Sequence, residues 1–192
     1  MMLHETSDSS ASPTGKAAEL IAYLQMEKIP DEGCWCALTY RSSDTISAEA
    51  LPARYGPLPR VAGSAIYALV TPTDFSAMHR LLTDEFWHFY AGDPLELLLL
   101  HADRRGEIVI LGPDVLAGQH SQWVVPRGTW MGARPLSESS EAYTLLGNTL
   151  APGFEYADFE IGWRDELQKM YPDFANQVAR LTRKKFAQCP II

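Results

Sequence analysis

Short segments rich in β-branched and aromatic residues follow one another from Cys34 to about Glu160, and this succession limits the folds that the chain can adopt. Gly, Pro and Asp residues separate the segments at intervals of about ten residues, which is the spacing of strands joined by turns. The pattern predicts an all-β core, either a sandwich or a barrel. The predicted strands lie in CWCALTYRS, GSAIYALV, EFWHFYAG, LELLLLH, EIVILG, SQWVVPRG, EAYTLLGNTLAPG and FEYADFEIG.

Apolar residues at helical spacing occur on either side of this β region. They predict one helix over about residues 16–26 and further helices over about residues 163–187, interrupted at Pro172. A chain of 192 residues can bury a substantial core as one domain. We therefore predict a flexible tail over residues 1–14 and a single domain over residues 15–192, in which helices flank the β core.

The charge and hydropathy of the chain argue against several classes of partner. A net charge of −8 and a pI near 5.1 disfavour nucleic acid, whose phosphates are bound by clustered Lys and Arg. No segment reaches the ~20 apolar residues that span a bilayer, and the N-terminus lacks the charged and apolar regions of a signal peptide. We expect a cytoplasmic protein that binds no membrane, with its three cysteines reduced.

Three blocks of sequence carry a family resemblance. They are FSAMHRLLTDEFWHFYAGDPLELLLL, LGPDVLAGQHSQWVVPRGTWMGARPL and TLLGNTLAPGFEYADFEIG, in that order. Over roughly Ala17 to Lys184 the chain strongly resembles the cupin superfamily, specifically its branch called domain of unknown function 985, or cupin family 5. The resemblance implies a cupin double-stranded β-helix, a jelly roll of two antiparallel sheets, with a small-molecule ligand in its lumen and a homodimeric assembly.

The resemblance also bears on metal binding. Metal cupins take ligands from a His-x-His pair and a Glu shortly after it, with a further His following a Pro-x-Gly turn. His79 and Glu85 match the second His and the Glu, whereas Ala77 and Met131 occupy the other two positions. Transition metals prefer three or four nitrogen or oxygen donors, so we expect no cofactor. The alternative is a divalent transition metal on His79 and Glu85, completed by a third ligand elsewhere in the barrel.

His79 and Glu85 are also the candidate catalytic residues. Side chains alternate across a strand, so Glu85 and Trp87 share one face while His88 lies on the other and, without a bulge, does not join Glu85. Burial in an apolar lumen raises the pKa of a carboxyl, and imidazoles ordinarily titrate near neutral pH, so such a pair is suited to proton transfer. Alternatively, the two side chains hydrogen-bond each other and fill a narrow barrel.

Further polar and aromatic residues are candidates for the lining of the site. On the last predicted strand Tyr156, Asp158 and Glu160 share a face; the first two line the lumen or face water, and Glu160 faces water. Arg41 and Arg60 are candidates for an anionic substrate group, because guanidinium binds carboxylate or phosphate with two hydrogen bonds; surface salt bridges are the alternative. The other substrate-binding candidates are Met131 and, as flat walls or plain core, Trp87 and Trp130.

The chain departs from the resembled family at its first strand. Relatives carry His-Pro-Glu-Gly-Gly and a Glu a few residues on, whereas this chain has Ile29, Cys34 and Ala37 in that region. On this comparison an imidazole and a carboxylate are missing from that edge of the barrel. Together with Met131, where the branch commonly has Gln, these differences predict either an altered substrate or a weakened activity.

Three functions remain open. The first is a metal-independent isomerase or epimerase that transfers a proton on a small oxygenated substrate, such as a sugar nucleotide or a biosynthetic intermediate. By likeness to the sugar-nucleotide 3,5-epimerases of the superfamily, His79 would be the base, with Tyr156 or Glu85 as the acid. Arg41 or Arg60 would then anchor an anionic group. The second is a non-catalytic small-molecule binder or sensor with the same pocket, and a metal-dependent oxygenase or isomerase is the third.

Overall fold

The computed structural model describes residues 12–183, which form a β barrel of two sheets with helices at both ends. Most strands coincide with the predicted segments. In chain order the strands are β1 (Glu27–Lys28), β2 (Trp35–Arg41), β3 (Thr45–Ile46), β4 (Arg60–Val61), β5 (Ser64–Val70), β6 (Ser76–Leu81), β7 (Glu85–Gly92), β8 (Leu95–Leu100), β9 (Gly106–Leu111), β10 (Gln122–Val125), β11 (Trp130–Pro135), β12 (Thr144–Leu150) and β13 (Phe159–Ile161).

The strands pair antiparallel in two large sheets. One has six strands in the order β1-β2-β5-β12-β7-β10, and the other has five in the order β13-β6-β11-β8-β9. Strands β3 and β4 form a separate two-stranded ribbon. Because neighbours in each sheet are distant in sequence, the chain crosses repeatedly between sheets, as it does in a jelly roll. The predicted all-β core with flanking helices is confirmed.

The main core lies between the two sheets. Leu146 of the six-stranded sheet and Leu97 of the five-stranded sheet are both fully buried in one apolar cluster. Strand β8 is buried on both faces, since Leu98 and Leu100 belong to a second cluster beneath the C-terminal helices. A strand covered on both sides carries a continuous apolar run, which explains the four consecutive leucines at residues 97–100 of β8.

The helices are shorter than predicted. Helix α1 (Gly15–Tyr23) ends before Met26, and Thr14 does not cap it, because the Thr14 hydroxyl donates to Glu141 Oε1 at 2.8 Å instead. Helices α2 (Arg164–Met170) and α3 (Ala175–Arg180) are separated at Pro172, as predicted. The predicted tail before residue 12 and the predicted helical residues after 183 lie outside the described residues. Within residues 12–183, no helix is long and apolar enough to cross a membrane.

Two expectations about strands are corrected. The predicted last strand is strand only over Phe159–Ile161, because residues 156–158 form a 3-10 turn that places Asp158 in the interior. Strands β6 and β11 were not among the predicted segments. Small residues in β6, and Gly132 and Pro135 in β11, weaken the strand signal, and pairing with neighbouring strands overrides that weakness.

Candidate functional site

A cavity of about 290 Å³ lies between the two sheets and opens at one end of the barrel. Its mouth is marked by partly exposed side chains, including Leu38 and Tyr156. Its walls are mainly apolar, with a few polar groups at the inner end. The lining residues that matter below are Glu32, Arg41, His79, Glu85, Asn148 and Tyr156.

A smaller space of about 30 Å³ continues the cavity inward. The two spaces have six lining residues in common, so they form one continuous site, and the smaller one is called the inner chamber here. Trp87 and Leu146 line the inner chamber among core residues of the barrel. Polar side chains therefore meet at the deepest part of an otherwise apolar cavity.

His79 lies on β6 and is 3% exposed. Its Nδ1 is 2.8 Å from the backbone oxygen of Ala77. A carbonyl oxygen only accepts hydrogen bonds, so Nδ1 carries the proton and the neutral ring keeps its lone pair on Nε2. The ring also stacks on Phe159, with centroids 5.3 Å apart. The bond and the stacking hold the imidazole in one orientation on the cavity wall.

Glu85 is the first residue of β7 and is 6% exposed. Trp87 donates its Nε1–H to Glu85 Oε2 at 2.8 Å. Burial raises the pKa of the Glu85 carboxyl to about 7, the charge of Glu32 adds to the rise, and His79 and the Trp87 bond partly oppose it. The Glu85 carboxyl is therefore divided between its neutral and ionised forms near neutral pH.

The local fold brings His79 and Glu85 together. A bend at residues 82–84 joins β6 to β7, and these strands belong to different sheets. The side chains at its two ends consequently reach the cavity from opposite walls. Asp84 fixes the bend by accepting the backbone N–H of Arg127 at 2.7 Å. The sequence pattern that singled out these two residues thus coincides with a short connection that crosses from one sheet to the other.

Glu32 is a cavity residue that the sequence reasoning missed. It lies within a tight turn in which Asp31 and Gly33 have φ of 64° and 90°, and it is 8% exposed. Its Oε1 accepts hydrogen bonds from Ser76 Oγ at 2.6 Å and from Cys34 Sγ at 3.2 Å. The sequence feature that could have identified Glu32 is a carboxylate between two turn-forming residues just before β2.

The expected loss of a carboxylate from this edge is therefore corrected. Ala37 packs under α1 in the cluster outside the barrel, so its side chain does not face the cavity. Glu32 supplies a carboxylate to the cavity from the preceding turn. Ile29 lines the cavity where relatives place an imidazole, and Cys34 lines the inner chamber as a free thiol whose pKa is raised by burial.

Asn148 on β12 was also missed. It is 3% exposed and lines both the cavity and the inner chamber. Its Nδ2 has no hydrogen-bond partner among the described residues. The signal in the sequence was a single amide on the face of β12 that otherwise carries Leu146 and Leu150. A polar residue in such a strand indicates a cavity or a buried partner.

Arg60 and Asp158 are removed from the candidate substrate ligands. They form a buried ion pair in which Arg60 Nε and Nη2 donate to the Asp158 carboxylate at 2.9 and 2.7 Å. Arg60 also donates to the backbone oxygen of Tyr55 at 2.9 Å. Neither residue lines the cavity. The pair joins the first residue of β4 to the turn before β13, so its role is structural.

Arg41 and Tyr156 lie at the mouth of the cavity. Arg41 donates to Glu155 Oε1 at 2.5 Å and to the Phe154 backbone oxygen at 3.2 Å, and the Arg41–Glu155 pair is partly exposed. Tyr156 is 61% exposed, and among residues 12–183 no hydrogen bond joins its hydroxyl to His79 or Glu85. Tyr156 is therefore a poor partner for His79, whereas Arg41 remains accessible to an anionic group. Glu160 faces water and pairs with Arg80, as predicted.

The remaining candidates divide between core and cavity. Trp87 is buried against the inner chamber and contacts Glu85. Trp130 lies in the cluster beneath the C-terminal helices, under the guanidinium of Arg80, and does not line the cavity. Met131 is core rather than cavity lining. His88 lies on the other face of β7, near Thr149 and Tyr90, as the strand alternation predicted.

Two antiparallel sheets form a barrel around a cavity that has polar groups at its inner end. This arrangement defines the chain as a cupin-type protein. A family model agrees with this fold. The chain belongs to the cupin superfamily family DUF985, whose model matches residues 18–162. The family recognised from the three sequence blocks is therefore confirmed.

Solved structures show the same fold. A protein from Shewanella oneidensis is 29% identical, with a TM-score of 0.77 over 90% of this chain and 100% of that chain. A hypothetical protein from Leishmania major is 30% identical, with a TM-score of 0.75 over 88% and 100%. Pac13, a nucleoside dehydratase from Streptomyces, is 14% identical with a TM-score of 0.44 over 71% and 84%, too distant to bear on function. No curated protein sequence matches the chain.

The metal-ligating side chains among residues 12–183 do not match the metal site of metal cupins. Across residues 12–183, no group of three or more His, Cys, Asp or Glu is arranged to hold a metal ion. His79 and Glu85 supply one nitrogen and one carboxylate. Met131, at the position of the last His, is a thioether within the core. A hard or borderline metal prefers three or four nitrogen or oxygen donors.

Proposed function

We propose that the chain is a metal-independent enzyme of the isomerase or epimerase type, which transfers a proton on a small oxygenated molecule. One observation carries the proposal. A single buried cavity contains an imidazole whose Nε2 is the proton-accepting atom and a carboxyl whose pKa is raised to about 7. A proton-accepting nitrogen and a carboxyl that exchanges its proton near neutral pH are the groups that such a reaction requires.

The step begins with a substrate carbon that is acidified by a neighbouring carbonyl group. The C–H bond breaks, its proton passes to His79 Nε2, and its electron pair moves onto the carbonyl oxygen. That oxygen takes the proton of neutral Glu85. In isomerisation of a hydroxy carbonyl compound, His79 returns the proton to the former carbonyl carbon, and the hydroxyl on the first carbon gives its proton to Glu85 and becomes the new carbonyl. In epimerisation, the enol turns in the cavity, His79 protonates the opposite face of the same carbon, and the enol proton returns to Glu85. Both residues are restored in either case.

The shape of the cavity supports a compact substrate. A volume of about 290 Å³ is at the small end of ligand sites. A monosaccharide-sized group fits inside, and an attached anionic group, such as the diphosphate of a sugar nucleotide, would lie at the mouth. There Arg41, which now pairs with Glu155 in partial exposure to water, would exchange that carboxylate for the phosphate.

The test is hydrogen exchange, which does not require the product to be known. The protein is incubated in D₂O with sugar nucleotides, keto sugars and small keto acids, and deuterium at carbon next to the carbonyl is followed by NMR. Wild-type protein should label at least one compound. His79→Asn and Glu85→Gln should slow labelling by roughly 10²–10⁴-fold, the loss expected for a general acid or base.

His88→Asn is the matched control, because His88 lies on the outer face of the Glu85 strand. This variant should incorporate deuterium into the compound as fast as wild type does. Binding without labelling would contradict catalysis and support a small-molecule sensor. One equivalent of Fe, Mn, Ni or Zn in the purified protein, required for labelling, would support the metal-dependent alternative.

A further inference from the structure

We propose that the inner end of the cavity is a subsite that binds a polyhydroxylated group, such as a sugar ring, through Glu32 and Asn148. The proposal deepens the proposed function, since it assigns the substrate class to the same cavity, but it does not depend on proton transfer. Neither residue takes part in the acid–base step. The subsite consists of Glu32, His79, Glu85 and Asn148, which line both the cavity and the inner chamber.

The subsite is rich in acceptor atoms that lack a protein donor. Both hydrogen bonds to the Glu32 carboxylate, from Ser76 and Cys34, end on Oε1. The Trp87 bond to Glu85 ends on Oε2. Among residues 12–183 no hydrogen bond reaches the second oxygen of either carboxylate. With His79 Nε2, these oxygens offer three acceptors to a ligand when Glu85 is ionised; the neutral form of Glu85 offers a donor instead.

Asn148 adds a donor to these acceptors. Its side chain is buried, and its Nδ2 lacks a partner in the described part of the chain. The residues directly opposite on the neighbouring strands are Trp87 and Ile66, whose side chains offer no acceptor atom. A buried amide without a partner destabilises the fold. A ligand oxygen that accepts a hydrogen bond from Asn148 Nδ2 explains why an amide occupies this position.

The mixture of donor and acceptor atoms selects hydroxyl groups. A hydroxyl both donates and accepts, so two or three of them satisfy the carboxylates, the imidazole and the amide together. An ammonium group donates only and would leave Asn148 Nδ2 unpaired. A phosphate or carboxylate would meet two Glu side chains. Apolar residues beside the subsite, including Ile66 and Leu146, suit the C–H face of a sugar ring.

Direct binding of simple ring compounds tests the proposal. Ligand-observed NMR is used to titrate the full chain with free hexoses and pentoses, and with cyclohexylamine and cyclohexanecarboxylate as ring-sized probes of opposite charge. At least one sugar should bind, and more tightly than either charged probe. Glu32→Gln and Asn148→Leu should each weaken that sugar about tenfold or more, the loss of one hydrogen bond to a charged or buried group.

Two variants keep the result interpretable if Glu32→Gln folds poorly. Asn148→Leu removes an unpaired buried amide, so its melting temperature should equal or exceed that of wild type while sugar binding is lost. Glu160→Gln, at an exposed residue outside the cavity, should bind sugar as wild type does. No binding by any sugar, tighter binding of cyclohexylamine, or unchanged affinity in Asn148→Leu would overturn the proposal.

The two proposals fail separately. His79→Asn should abolish deuterium labelling while a sugar still binds, because Glu32, Glu85 and Asn148 remain. If wild type binds a sugar but incorporates no deuterium into any compound, the subsite is supported and the proposed catalysis is contradicted. If wild type incorporates deuterium into a keto acid but binds no sugar, the proposed catalysis is supported and the subsite is contradicted.

Discussion

Glu85 shows how one position can determine the chemistry of the whole cavity. The carboxyl is buried and has one hydrogen-bond donor from the protein, Trp87 Nε1. Desolvation therefore outweighs the attraction of nearby His79, and the pKa rises. A second carboxylate at Glu32 strengthens the effect. The same position on an exposed strand would be an ordinary ionised glutamate.

The raised pKa of Glu85 makes stability depend on pH. Between about pH 4.5 and pH 7 the folded chain retains a proton that the unfolded chain releases, so Glu85 lowers stability as pH rises through this range. Glu85→Gln removes the ionisation and preserves an acceptor for Trp87. Relative to wild type, the variant should gain up to about 3 kcal/mol of unfolding free energy between pH 4.5 and pH 8.

Urea denaturation of both proteins across this pH range measures the difference. Because His79 and Glu32 face Glu85 in the cavity, the comparison is repeated in His79→Asn to separate their contributions. Glu160→Gln, at an exposed residue outside the cavity, is the control for the change from glutamate to glutamine. A pH-independent difference between wild type and Glu85→Gln would show that Glu85 ionises normally.

At the scale of elements, one ion pair joins strand β4 to the turn before β13. Arg60 and Asp158 are both buried, and two parallel hydrogen bonds connect them. A strand across residues 156–158 would separate Asp158 from Arg60. The 3-10 turn is therefore favoured over the extended conformation that the alternating sequence predicted.

Removal of one member of this pair should be costly. Asp158→Ala leaves the Arg60 guanidinium buried without its counter-charge, so we expect a loss of about 3–5 kcal/mol in unfolding free energy. Glu155→Ala breaks the exposed pair with Arg41 and should cost about 0–1 kcal/mol. Chemical denaturation of both variants makes the comparison. Equally small losses would return Arg60 to the list of possible substrate ligands.

At the scale of the whole molecule, the outer face of the six-stranded sheet is partly apolar and exposed. Phe86 and Val124 lie directly opposite each other on β7 and β10, and each is about 40% exposed. Tyr90 on the same face of β7 is 51% exposed. Adjacent apolar side chains on a sheet surface are typical of contact regions between subunits.

We expect a homodimer that covers this face, consistent with the family resemblance. Sedimentation at micromolar concentration should show a species of about twice 21.4 kDa. Phe86→Glu places a charge in the expected interface and should shift the population to monomer, whereas Glu160→Gln should not. A clean monomer for wild type, or an unchanged dimer for Phe86→Glu, would contradict an interface at this face.

The sequence alone determined the architecture and the two groups at the centre of the candidate site. Strand periodicity and turn residues are local signals, so they revealed the β core and the flanking helices, whereas the family was recognised from the resemblance of three sequence blocks. His79 and Glu85 were found because they match two positions of the metal-cupin pattern. His88 was correctly placed on the opposite face of β7 because side chains alternate along a strand.

Only the tertiary structure decided which distant side chains meet. Arg60 and Asp158 are separated by 98 positions, and their pairing depends on how two loops pack against the barrel. Glu32 comes to the cavity through a turn, and Asn148 through the register of β12 with β7. Local patterns specify the face of a strand, but the partner of a buried polar group is fixed by packing between segments that are remote in sequence.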